Sequence, residues 1–138
     1  MNTRGISGRA LGVLGMSAIG TALSLVVAAT PAQASTNIGW IYTPNAAGKA
    51  FFDADVSGWE GAEEITVCDV KTDDNAVIAF LNDLDGKRIA SVRDSYNDGS
   101  CTSTAYNMIT DEKSVELTVC IDDGGNVLTR CSSEWGRS

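Results

Sequence analysis

Residues 64–70 read Glu-Ile-Thr-Val-Cys-Asp-Val, and residues 114–121 read Ser-Val-Glu-Leu-Thr-Val-Cys-Ile. In both runs apolar side chains return at every second position: Ile65 and Val67 in the first, Leu117, Val119 and Ile121 in the second. A period of two puts such residues on one face of a β-strand, the face that packs on a core. Cys68 and Cys120 then point the other way, toward the outer surface. Each run leads through a polar turn into another apolar stretch, Asp74-Asn75-Ala76-Val77 and Gly125-Asn126-Val127. This echo reads either as an internal duplication or as two hairpins of similar composition.

Working outward, similar short runs lie near 38–43, 48–53, 76–82, 87–93, 102–109 and 127–132. Asp-Asn, Asp-Gly and Gly-Gly pairs separate several of them, which is turn chemistry. Runs about 8–14 residues apart predict an all-β fold, a small antiparallel β-sandwich of about 7–8 short strands, rather than βαβ units. The best helix candidate is 43–52, a weak one. Asp83-Leu84-Asp85-Gly86 reads as a hairpin turn, and Glu63-Glu64 as a solvated strand edge.

The first 34 residues form a different kind of segment. Arg4 and Arg9 precede an apolar stretch over 10–29, Pro31 breaks it, and Ala32-Gln33-Ala34 follows. That order is a secretory signal peptide. The alternative is an uncleaved membrane anchor, but the glycines and the A-x-A site favour cleavage before Ser35. The expected organisation is a leader over 1–34 and a mature domain over 35–138, secreted and extracellular.

The chain carries 10 cations and 18 acids, a net charge of −8. Loss of Arg4 and Arg9 leaves eight cations against eighteen acids, near −10. Nucleic acid and anionic membrane both need a basic face, so neither is an expected partner. After cleavage the domain is expected to be a monomer that is free of the membrane.

Four cysteines in a small exported chain imply two disulfides, for which three pairings exist. No paired C-x₂₋₄-C spacing suggests zinc. A Gly125-Asn126 loop sets Cys120 opposite Cys131 but matches Ile121 poorly with Arg130. A Gly124-Gly125 loop corrects Ile121 and leaves the cysteines diagonal, so a bulge among 122–126 is needed to satisfy both. Cys68–Cys101 and Cys120–Cys131 are the favoured pairs.

There is no histidine. Ser-His-Asp and Cys-His catalysis are therefore excluded, oxidised cysteines offer no thiolate, and no phosphate-binding glycine loop occurs. Carboxylate chemistry remains, because eighteen acids offer many pairs, but no catalytic or cofactor-binding residue is assigned. Asp53-Ala54-Asp55-Val56-Ser57-Gly58 with Glu64 at the twelfth position fits a calcium-loop pattern. Glu60 at the eighth position and a following strand fit it badly, so an acidic turn is the favoured reading and no metal ligand is assigned. Trp40, Trp59 and Trp135 are expected in the core, where each ring buries about 150–250 Å². Exposed together they would instead form a carbohydrate platform.

The segments Gly48-Lys49-Ala50-Phe51-Phe52, Ile65-Thr66-Val67-Cys68-Asp69, Ser95-Tyr96-Asn97-Asp98-Gly99-Ser100-Cys101 and Val115-Glu116-Leu117-Thr118-Val119-Cys120 carry a resemblance. They are similar to small exported β-rich proteins of Streptomyces-type actinomycetes. The resemblance implies an extracellular β domain with these cysteines bonded, and it transfers no catalytic or ligand residue. The reading that follows is a non-enzymatic extracellular binding module for a protein or glycan of unknown identity. Its rivals are a hydrolase inhibitor using residues 94–101, a calcium-binding module and a carboxylate hydrolase.

Overall fold

A computed structural model describes residues 34–110, 113–125 and 127–138. Of the expected leader over 1–34, residues 1–33 lie outside the described residues. Eight strands follow one another: β1 (Ile38–Tyr42), β2 (Gly48–Asp53), β3 (Glu63–Asp69), β4 (Ala76–Asn82), β5 (Arg88–Asp94), β6 (Cys101–Tyr106), β7 (Ser114–Asp122) and β8 (Thr129–Arg137). They form two antiparallel four-stranded sheets, β1-β2-β3-β6 and β5-β4-β7-β8, packed as a sandwich.

The alternation read from β3 and β7 sets the core. Ile65 and Val67 share one buried core with Leu117, Val119 and Ile121, joined by Ala50, Phe52, Val77, Ala79 and Leu81. Each fully buried Leu or Phe of this kind contributes about 1.5–3 kcal/mol through its removal from water. The sheets approach so closely at β2 that a Cβ on Gly48 would strike the Val77 methyls, which explains a glycine at the start of a strand.

Residues 43–52 are not helical. Thr43 Oγ accepts the Gly48 N–H at 3.0 Å, Asn45 Oδ1 accepts the Ala47 N–H at 3.3 Å, and Ala46 adopts φ +52°. These side-chain bonds offer the backbone a turn in place of a helix. From Gly48 onward the alternation of Ala50 and Phe52 inward with Lys49 and Phe51 outward makes a strand.

Both disulfides join the favoured pairs. Cys68 and Cys101 sit opposite each other in register on β3 and β6, with Cα atoms 4.2 Å apart. Cys120 and Cys131 have Cα atoms 4.1 Å apart. The bulge that reconciles the last hairpin lies in β8 rather than among 122–126. Val119 pairs with Ser132 and Ile121 with Thr129, so Arg130 and Cys131 together oppose Cys120, and Arg130 takes φ +51°. A bulge bends the strand where the extra residue enters, so placing it at the cysteine brings the two sulfurs together. Cys68 and Cys120 lie on the outer faces by parity, yet both are fully buried, while Cys101 and Cys131 are exposed.

Candidate functional site

β1, β3, β5 and β7 all run toward one end of the sandwich, so the loops 43–47, 70–75, 95–100 and 123–128 gather there. Both disulfides brace this end. One closes the exit of the 95–100 loop at Cys101, and the other spans the β7–β8 connection.

The 95–100 loop is tied down along its length. Asp94, fully buried at the end of β5, accepts the Asp69 N–H at 3.0 Å through Oδ2 and the Tyr96 N–H at 3.1 Å through Oδ1. One carboxyl thus joins the two sheets and starts the turn. With its amide nitrogen turned inward, Asn97 donates to Asp69 Oδ2 at 2.9 Å and to the Lys71 carbonyl at 3.1 Å. Asp98 accepts from the Ser100 N–H at 2.8 Å and from its hydroxyl. Lys71 in turn donates through Nζ to the Asn45 carbonyl at 3.0 Å, linking the 70–75 and 43–47 loops. Tyr96 projects from this scaffold with 67% of its surface exposed. Val70, Val127 and Tyr42 are also exposed at this end, beside Asp73, Asp74 and Asp123.

The carboxyls here are set by their partners. Burial pushes the Asp69 carboxyl above its ordinary range, reinforced by Asp73 and Asp94 and opposed by the Lys71 N–H. The Ser100 hydroxyl and N–H hold Asp98 below its ordinary range, and the Arg93 guanidinium, 2.8 Å away, does the same for Asp122. A carboxyl whose folded-state pKa is raised gives most stability when protonated, and that contribution is lost as pH rises through the folded value. Asp69→Asn keeps an acceptor for Lys71 and removes the buried ionisation. The melting temperature of the variant relative to wild type is therefore expected to climb as pH goes from about 3 to about 7. Calorimetry at several pH values checks this; a constant or shrinking difference would show that Asp69 does not titrate as argued.

Asp69 is the acid with raised pKa that a carboxylate hydrolase would use. However, it is buried under the loop, with Oδ1 held by the Lys71 N–H and Oδ2 by Asn97. Its geometry is that of a structural clamp. In the 53–64 segment, Asp53 and Glu64 pair across β2 and β3, Asp55 Oδ2 accepts the Ser35 hydroxyl at 3.0 Å, and a turn over 56–62 closes the loop. Among the described residues no three Asp, Glu, Cys or His side chains gather as metal ligands.

The tryptophans are not core residues. Trp40, Trp59 and Trp135 are 42%, 55% and 54% exposed. Small aliphatic side chains and Phe52 already fill the interior between closely packed sheets, which leaves the indoles outside. They are dispersed over separate elements. Trp40 leans on Phe51 at 5.5 Å on the outer face of the first sheet with Lys49 above it, Trp59 lies in the 54–62 loop, and Trp135 lies on β8. Glu63 also departs from expectation. It is buried, accepting the Met108 N–H at 2.7 Å and the Ser138 hydroxyl at 2.8 Å, because its parity on β3 matches Ile65.

Fold and site together define a disulfide-stapled β-sandwich with one rigid, loop-bearing end. No family model and no curated protein matches the chain. Among solved structures it is similar to an endonuclease/exonuclease/phosphatase from Beutenbergia cavernae, with 20% identity and a TM-score of 0.58 over 74% of this chain. The match spans 26% of that longer chain. A likeness at this identity speaks to the fold alone.

Proposed function

We propose that the chain is a secreted, non-enzymatic interaction module that leaves its leader after Ala34 and binds an extracellular protein through the 94–101 loop. The observation that carries this reading is Tyr96, exposed on a loop whose conformation is fixed by Asp94, Asn97, Asp98 and the Cys68–Cys101 bond. A preordered loop loses little entropy on binding, and tyrosine is among the residues that dominate interface energetics. The acids around it, on a domain near −10, suit a partner with a basic rim. Inhibition of a hydrolase is a specific form of the same reading, with the loop entering the enzyme's cleft.

Capture from the culture medium of the producing organism, on immobilised wild type and Tyr96→Ala, tests the proposal. The partner retained by wild type is expected to bind the variant about 30-fold or more weakly, as for an interface anchor. Equal capture by both would remove the loop from the interface. Assays of the captured partner for hydrolase activity separate inhibition from other binding.

A further inference from the structure

The opposite end of the sandwich holds a cleft that the Tyr96 loop does not explain. Two adjoining hollows of about 410 and 430 Å³ share Leu84, Ser114 and Arg137 as a common wall. The first is lined by Asp83, Asp85 and Lys113, and the second by Trp135. Each falls within the roughly 300–1,000 Å³ of small-molecule sites. We propose that the cleft binds a neutral oligosaccharide, with a sugar ring stacked on Trp135 and the next held among Asp83, Asp85 and Lys113.

Three features select this ligand class. Trp135 and Leu84 are 54% and 70% exposed, so the cleft presents a large aromatic wall and an apolar rib to solvent. The indole face suits the C–H face of a pyranose, and tryptophan combines apolar area with a fixed shape. Among the described residues the polar lining offers carboxylates at Asp83 and Asp85 and an ammonium group at Lys113, on a domain of net negative charge. A polyol uses both kinds, because its hydroxyls donate to carboxylates and accept from an ammonium group. Two hollows in series fit a chain of repeating units better than a single small metabolite. A peptide adding as a strand beside the cleft would need the edge of β8 at Arg137, and that position is taken: Thr36 N–H donates to the Arg137 carbonyl at 2.7 Å, and Arg137 N–H donates back to the Thr36 carbonyl at 3.2 Å.

The site is built on fixed backbone. The Asp83 carboxyl accepts the Asp85 and Lys87 N–H groups at 3.0 and 2.8 Å, locking the β4–β5 turn. The floor beside Trp135 needs a glycine, because a Cβ on Gly136 would meet the Ile38 side chain and the Thr36 carbonyl.

Calorimetric titration of the domain with cello-, chito-, xylo- and maltohexaose tests the proposal. At least one sugar is expected to bind saturably. Trp135→Ala and Asp85→Asn should each weaken it about tenfold, through the lost stacking and the lost charge-assisted hydrogen bond respectively. Tyr96→Ala, at the other end, should bind the sugar as wild type does, which keeps this result independent of the protein-binding loop. Asp85 is an exposed turn residue, so its variant decides the matter even where Trp135→Ala folds poorly. Absence of saturable binding to all four sugars, or wild-type affinity in folded Trp135→Ala or in Asp85→Asn, overturns the proposal.

Discussion

Cys68→Ala/Cys101→Ala is expected to lose about 4 kcal/mol of stability and to melt about 15–30 °C below wild type. The bond closes a separation of 33 residues, and cross-linking such a stretch removes a large share of the unfolded chain's entropy. Against the roughly 5–15 kcal/mol that holds a domain of this size together, one bond is a large fraction. Alanine is the appropriate replacement because Cys68 is fully buried, and a serine hydroxyl there would add its own desolvation cost. The loss should extend beyond stability. Cys101 is the residue at which the 95–100 loop re-enters the sheet, so partner capture should weaken even below the melting transition. The Cys120→Ala/Cys131→Ala variant opens a separation of only 11 residues and should cost about 3 kcal/mol, with a smaller effect on capture. Melting curves without reductant and capture by each variant check both statements. Equal effects of the two variants on capture would mean that the first bond does not specifically order the loop.

Much of this architecture is written in local alternation. β3 and β7 announce themselves because a buried face on one side and a polar face on the other impose a period of two. Short apolar runs bounded by turn residues identified β2, β4 and β5 within a residue or two at their ends. β8 was legible only in part: it runs from Thr129 to Arg137, whereas the sequence suggests a run ending near residue 132. Ser132, Ser133 and Glu134 carry no apolar period, because this edge strand is held by its ladder to β7 and by Thr36 rather than by burial. The Cys120–Cys131 pair and the need for a bulge followed from hairpin register, but the place of the bulge in β8 did not, since an extra residue at Arg130 leaves no compositional mark.

The loop end was half visible. Its position beside Cys101 could be read from the chain, and Tyr96 lies within the segment singled out. The clamp beneath it could not. Asp69 and Asp94 look like the other acids of an acidic protein, and only the meeting of β3 with β5 lets Asp94 accept the Asp69 N–H. Trp135 and Leu84 share a cleft because the β4–β5 turn packs beside the end of β8, a contact between residues about fifty positions apart. Such convergence depends on topology, which no window of sequence reports. The misplacement of the tryptophans has the same origin: the volume between the sheets is fixed by small residues such as Gly48, Ala50 and Ala79, and an indole does not fit there.

Glu63→Ala is expected to cost about 3 kcal/mol or more, a large effect for a residue whose sequence neighbour Glu64 reads as ordinary strand surface. The Glu63 side chain is 1% exposed at the start of β3, and its two oxygens hold separate parts of the chain: Oε2 takes the Met108 N–H and Oε1 the Ser138 hydroxyl. Ser138 N–H also donates to the Lys113 carbonyl at 2.9 Å, so this carboxyl organises the β6–β7 connection and the end of β8 together. Truncation leaves a backbone donor and a hydroxyl without their acceptor in a site closed to water, and an unmet buried donor costs about 1–3 kcal/mol. Glu63→Gln should be milder, because the amide oxygen can still take the Met108 N–H while the Ser138 hydroxyl rotates to accept from the amide nitrogen. Ser138→Ala should be milder again, about 1 kcal/mol, since it removes one bond and leaves Met108 satisfied. Thermal unfolding of the three variants should therefore rank alanine, glutamine and Ser138→Ala in decreasing loss. A Glu63→Ala domain melting within a degree or two of wild type would mean that neither hydrogen bond contributes as its geometry implies. Because Trp135 and Lys113 flank the segments that Glu63 ties, the same variant should also lose the saccharide affinity of the cleft while leaving the braced loop at the other end able to capture its partner.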